Sequence, residues 1–191
     1  MFEESGATEL SLRALARRLG VSEAAPSRHF SGKDELLAAI ARSGFEELAA
    51  QRKQIAAQHL AALPKARRMM LSYVQYAQDH VGLFDLMTGP RLMQVFRRGD
   101  MEQSSNVSYD FFATSVFELA LENGWSRKQL ELLSHAAWSM EHGVASLILA
   151  GRTPRTDSGL ETQGMVEFSI DLFLASVAAG PAEFERLRSL V

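Results

Sequence analysis

Apolar residues recur at helical spacing along almost the whole chain, and no alternating run is long enough to predict a strand. The first run sets the pattern. Leu12, Leu15, Ala16 and Leu19 stand at i, i+3, i+4 and i+7, which predicts a short helix with one inward stripe. Ser11 occupies its N-cap position, and Leu10 and Leu15 fit the N′ and N4 positions of a hydrophobic staple. Gly20 offers the left-handed residue that stops the helix, and Ser22 can cap a second short one. A long helix is predicted from Lys33 to near Leu63, ending before Pro64. Two short helices joined by a Gly-containing turn form a helix-turn-helix, whose second helix enters the major groove of DNA.

Beyond this point the pattern stays helical. The expected helices run from about Lys65 to His80, with a break at Gly82, then from Leu83 to Thr88, closed by Gly89-Pro90. Arg97 to Asp100 and Arg152 to Gly159 read as loops. Ser105 to Glu122 carries Tyr109, Phe112, Val116, Leu119 and Ala120 on one side and stops at Asn123-Gly124. Ser126 caps the next helix, which runs to about Ala150, and Gln163 to Ala178 follows before Gly180-Pro181 and a short tail helix. The fold class is all-α. The last two long helices are apolar on more than one face, through Leu133, Ala137, Val144, Leu147 and Ile148, then Phe168, Leu172, Phe173 and Val177. One face serves the subunit core and the other a partner, so a two-fold homodimer closed by a four-helix bundle is expected.

Charge sharpens the picture at the N-terminus. Between Ser11 and Lys33 the basic residues are Arg13, Arg17, Arg18, Arg28 and Lys33, against the single acid Glu23, in a chain whose net charge is −3. A basic head on an acidic body suits a protein that meets DNA at one surface, although a basic helix face alone is most often just a solvated surface. The 191 residues, 47% hydrophobic and 23% charged, suit an ordinary globular protein with a substantial core. The absence of cysteine excludes disulfides, thiolate metal sites and cysteine nucleophiles. No apolar run approaches the ~18 residues of a membrane span, and Met1 opens no signal peptide, so a cytoplasmic location and no membrane partner are expected.

The stretch from Leu10 to Ile40 resembles the DNA-binding module of the TetR family of bacterial transcription regulators. The resemblance rests on Ala16, the Gly20-Val21-Ser22 turn, His29-Phe30 and Lys33-Asp34-Glu35-Leu36-Leu37. A second segment, Ala136 to Leu147, resembles the Trp…His-Gly motif of the WHG-type C-terminal domain found in part of that family, through Trp138, His142 and Gly143. The resemblance implies a homodimer, an all-helical fold and a C-terminal pocket whose ligand controls DNA affinity. It makes Ser22 to His29 the recognition segment and places Lys33 near a phosphate, as free N–H groups at a helix start would favour. Residues 1–46 then form the DNA-binding module, and 47–191 the effector-binding and dimerisation domain.

This sequence departs from the family pattern in three places. Ser27 stands where the family usually has a Tyr that touches the DNA backbone. Pro26 cannot donate a hydrogen bond to Ser22 and biases Ala25 away from helical geometry. Met1 to Gly6 resembles only the last turn of the family's first helix, which leaves two expectations: Met1 is internal to a longer product, or that helix is missing and Leu12, Leu15 and Phe30 lose cover.

The expected DNA contacts are Arg13, Arg17, Ser22, Ser27, Arg28, His29 and Lys33. A pocket wall is expected from Met70, Tyr73, Phe84, Met87, Phe111, Trp138 and His142, with Met93 and Phe96, since apolar pockets between helices suit small molecules. For any one of these residues, plain core packing is the commoner role. Tyr73 and His142 would orient the ligand. Glu131, His135, Trp138 and His142 share a helix face, but the two histidines lie roughly 10 Å apart along the axis, so no metal site is expected. No catalytic constellation or cofactor motif stands out. The expected function is a repressor that binds a palindromic double-stranded DNA operator and is released by a small apolar effector. The alternative is a helical effector-binding protein that has lost DNA binding through the absent first helix.

Overall fold

The computed structural model describes residues 11–89, 102–152 and 161–190. The expectations for Met1 to Gly6, Leu10, Pro90, Met93, Phe96, Arg97 to Asp100 and the loop past Arg152 lie outside them. Eight α-helices are seen among the described residues: α1 (Leu12–Leu19), α2 (Lys33–Ala56), α3 (Ala62–Asp79), α4 (Val81–Thr88), α5 (Glu102–Glu122), α6 (Leu130–Leu149), α7 (Thr162–Ala178) and α8 (Pro181–Arg188). Single 3-10 turns sit at Pro26–Arg28 and Arg127–Gln129.

The ends of α1 follow the local chemistry. Ser11 accepts a hydrogen bond from the Ala14 amide at 3.1 Å, and Gly20 adopts φ 66° while the Val21 amide returns to Ala16 O at 3.1 Å. The inward stripe is shorter than predicted. Ala16 is fully buried and Leu12 and Leu15 half-buried, but Leu19 is 63% exposed. It lies in the last turn, beside Arg17, Arg18 and the departing chain, where none of the described helices covers it.

The second short helix is a single 3-10 turn. Ala25 N donates to Ser22 O at 2.9 Å and Arg28 N to Ala25 O at 3.2 Å, both i to i−3 bonds. Pro26 heads the turn and lacks the N–H that an α-helical bond to Ser22 needs. Ala25 nevertheless keeps helical angles, φ −63° and ψ −49°.

The long helix α2 ends at Ala56, earlier than predicted, and Pro64 lies inside the first turn of α3. Proline is tolerated there because the first amides of a helix have no intrahelical acceptor. The next break falls at His80, two residues before Gly82, with φ −131° and ψ 54°. In the body, α2 packs on α5, α4 and α3, while α3 also meets α5, α6 and α7. Gly44 lets α4 rest on α2, since a Cβ there would stand 2.5 Å from Met87 Sδ and 3.1 Å from the Leu83 methyls. Tyr76 donates to Gly44 O at 3.1 Å across the same contact. The core is one apolar cluster running from Leu36 to Val177, with Met69, Met70, Tyr76, Phe112 and Ile170 fully enclosed.

Candidate DNA-binding head and effector site

The N-terminal head is a thin, exposed surface. Arg13, Arg17, Ser22, Ser27, Arg28 and His29 are all exposed, and Lys33 is half-buried as the first residue of α2. Ala16 and Pro26 are the buried residues of the two short elements. Arg13 and Glu23 approach to 3.8 Å across the turn. Glu35 braces the start of α2: one carboxylate oxygen accepts from both the amide and the hydroxyl of Ser31, each at 2.6 Å, which holds its carboxyl below the usual range.

The body contains a second assembly, built from α2, α3, α4, α5 and α6. The sequence-predicted residues Tyr73, Phe84, Trp138 and His142 do come together. Tyr73 and Phe84 meet edge-on with centroids 5.3 Å apart, and His142 lies 6.0 Å from Phe84 and 5.8 Å from Trp138. The Tyr73 hydroxyl and His142 Nδ1 are 3.0 Å apart. Burial holds the imidazole pKa down and pushes the Tyr73 phenol up, helped by the nearby Glu141 charge. Which of the two donates follows the imidazole tautomer. Trp138 is the outer member at 41% exposed.

Three predicted wall residues stand elsewhere. Met70 is enclosed in the core, Met87 packs against Gly44, and Phe111 lines a separate cleft of about 400 Å³ with Ala56, Lys65, Met69 and Glu118. That cleft lies one helical turn from Arg52 along α2 and from Tyr73 along α3, because Ala56 and Met69 are their i+4 and i−4 neighbours.

The centre of the assembly was not anticipated. Arg52 of α2 and Glu141 of α6 form an ion pair, Nη2 to Oε1 at 2.8 Å, with side chains 3% and 0% exposed. Arg52 Nη1 also donates to Ser108 O at 3.2 Å. Its guanidinium carbon lies 5.2 Å from the Tyr73 ring centroid and 5.0 Å from that of Phe112. Burial pushes the Glu141 carboxyl up to about 7 against the opposing pull of Arg52. The direction follows from a carboxylate held by one lateral contact in a site without water access. Tyr109 extends the cluster, bonding Ser134 Oγ at 3.0 Å and meeting Trp138 edge-on at 6.5 Å. The available signal was register. Arg52 follows Leu48 by four residues, and Glu141 lies four from both Ala137 and Ala145, so each charge sits on a buried apolar stripe.

An exposed basic head with a helix-turn-helix chain path, carried on a helix that enters an aromatic-walled helical body, defines the class of helical transcription regulators. Residues 1–40 match the model for bacterial regulatory proteins of the tetR family, and residues 66–173 match that for the tetracyclin repressor-like C-terminal domain. The chain belongs to the TetR family of transcription regulators. A solved structure of a Rhodococcus protein of unknown function is 27% identical, with TM-score 0.75 over 93% of this chain and 89% of that one. A TetR-family regulator, PfmR from Thermus thermophilus, is 23% identical, with TM-score 0.65 over 91% and 92%. A TetR/AcrR-family regulator from Thermobifida fusca is 18% identical, with TM-score 0.66 over 91% and 90%. No curated protein matches the sequence. Among the described residues no single helix is long and apolar enough to cross a membrane.

Proposed function

We propose that this regulator is a ligand-responsive repressor: a homodimer that holds a palindromic operator and releases it when a small, mainly apolar effector enters the Tyr73–Trp138–His142 cluster. Residues 1–46 are the reading module, and 47–191 bind effector and partner. The observation that carries this reading is the continuity of α2. One uninterrupted helix has Lys33 at its first residue and Arg52 in the middle of the aromatic cluster, about 28 Å apart at 1.5 Å per residue. A ligand that displaces Arg52 moves a rigid rod whose other end carries the head. Half-sites about 34–36 Å apart demand a fixed spacing between two heads, so a small tilt is enough to lose the fit. The effector has to favour the non-DNA conformation, since equal affinity for both shifts nothing.

Arg28, Ser22, Ser27 and His29 face base edges or the adjoining backbone in this reading, and Arg13, Arg17 and Lys33 face phosphates. Ser27 has shorter reach than a tyrosine, so Ser27→Tyr strengthens binding where a backbone contact is missing. The dimer reading is supported by α6 and α7. Ala137 and Val177 point into the subunit core, while Leu147, Phe168 and Leu172 are more than half exposed, the last two at 69% and 61%. Pairing two copies through these faces closes a four-helix bundle.

The test uses duplexes selected from a random pool by the full chain. Binding that weakens steeply with salt and is lost on adding an effector supports the proposal. Trp138→Ala, if folded, should release the operator only at higher effector concentration. Unchanged release would move the pocket elsewhere. No salt-dependent binding at all would leave a helical effector-binding protein without DNA function.

A further inference from the structure

The cleft of about 400 Å³ beside Phe111 lies outside the aromatic cluster and is built along one face of α5. Val107, Asp110, Phe111, Thr114 and Glu118 recur at helical spacing and all line it. From Val107 to Glu118 the helix rises about 16 Å at 1.5 Å per residue. A volume of that size drawn out over that length is a groove, which suits an extended chain better than a fused ring system. Ala56 of α2 and Met69 of α3 supply apolar wall from the other side, and most of the lining surface is apolar.

Charge is placed unequally along the groove. At one end Lys65 Nζ donates to Glu118 Oε2 at 2.8 Å, a neutral pair with the lysine largely covered. Asp110 lies two turns nearer the other end, about 12 Å from Glu118 along the helix axis. Its carboxylate has no ion pair or hydrogen bond among the described residues. The groove therefore holds one uncompensated negative charge against mostly apolar walls. A cation balances it, whereas a carboxylate brings a like charge beside it. We propose that this groove is a binding site, separate from the aromatic cluster, for a primary alkylammonium. The ammonium pairs with Asp110, and the aliphatic chain lies along Phe111 and Met69 toward the methylene stem of Lys65. Lys65 keeps Glu118, so the ligand displaces no ion pair. The chain also rests against Ala56, the last residue of α2, and so touches the far end of the helix that starts at Lys33.

Calorimetric titration of the full chain with decylammonium, decanol and decanoate, each kept below its solubility and micelle limits, tests this. Decylammonium should bind about fivefold tighter than decanol, the upper value for a solvent-exposed ion pair, and decanoate should bind weakest. Asp110 is exposed, so the margin over decanol should shrink as salt is raised. Asp110→Asn should bring decylammonium down to decanol. Glu122→Gln removes an equal charge from an exposed position of the same helix outside the cleft, and should leave the margin intact. Thr114→Trp, also at an exposed position, fills the groove and should abolish binding of all three, with folding checked by its helical melt. If the three compounds bind equally, or Glu122→Gln acts as strongly as Asp110→Asn, the attraction is not that of Asp110 and the inference fails. If none of them binds, or binding survives Thr114→Trp and is lost in Trp138→Ala, the groove is not the site. None of these results decides the effector reading, which rests on operator release and its loss in Trp138→Ala.

Discussion

In the head, Arg13 and Glu23 approach to 3.8 Å with side chains 80% and 68% exposed, whereas in the body Arg52 and Glu141 meet at 2.8 Å almost wholly out of solvent. The exposed pair is screened and adds little to stability. Its value is availability, since an arginine that gains little from the protein can be given to a phosphate. The buried pair is committed, with α2, α5 and α6 all contributing to its surroundings. Desolvation makes such a pair expensive to keep and more expensive to break on one side. On the proposed reading one region keeps charge for DNA, and the other uses charge to join the helix that carries the head to the helix that carries Trp138 and His142.

The largest effect should come from breaking the buried pair on one side. Glu141→Ala leaves Arg52 charged and uncompensated, and should lower stability by about 3–5 kcal/mol in urea unfolding. Replacing both residues, as Arg52→Met with Glu141→Leu, should restore most of that loss while weakening the coupling between effector and operator. If the double variant were as unstable as the single one, the pair would not be a unit, and the contrast with the head would lose its basis.

The next effect lies in the head and should spare stability. Arg28→Ala should cost about 1–3 kcal/mol of operator binding and change the preferred sequence, and Lys33→Ala should weaken all sequences alike while lowering the salt slope by about one. Arg28→Ala should melt like the parent. A changed melting temperature for Arg28→Ala would mean that the head's charges are structural after all.

A smaller effect follows from Tyr73→Phe, which removes the hydroxyl bonded to His142 Nδ1 and should cost about 1 kcal/mol. The pH response is partly offset, because two groups oppose each other. Glu141 has its folded pKa raised from 4.5 to about 7, so the folded protein binds a proton that the unfolded chain has released, and stability falls as pH rises through that window. His142 has its folded pKa lowered from 6.5, so its contribution is present above that value and is lost as pH falls below it. Urea midpoints should fall in the parent between about pH 4.5 and 7, because the Glu141 shift is the larger of the two. Glu141→Gln should expose the histidine slope, with stability rising with pH.

The chain spelled out its helices and most of their ends, because caps and periodicity are local. Ser11, Gly20 and Asn123-Gly124 act on atoms within five residues of themselves, so the termini they make need no tertiary context. Where an end depended on what a proline could tolerate, reading residue types was not enough. Pro64 was compatible with either stopping one helix or opening the next, and the turn from Ala57 to Ala61 selected the second. The exposure and charge of the head were legible because both come from one short stretch.

The body's polar centre was settled only by packing. Arg52 and Glu141 are 89 residues apart, and Tyr73 and His142 are 69 apart. Register could mark each charge as facing inward, but not which opposite charge it would meet, because that depends on how α2, α3, α5 and α6 cross. For the same reason Phe111, read as wall, lines a neighbouring cleft about 100° round α5 from Phe112, which lies against Arg52. Sequence determined that this protein has a basic helical head on an apolar helical body. Tertiary structure decided that the helix from Lys33 carries, one turn before its end, half of a buried ion pair with two open hydrogen-bonding atoms, because only the folded chain brings those side chains within 3 Å of one another.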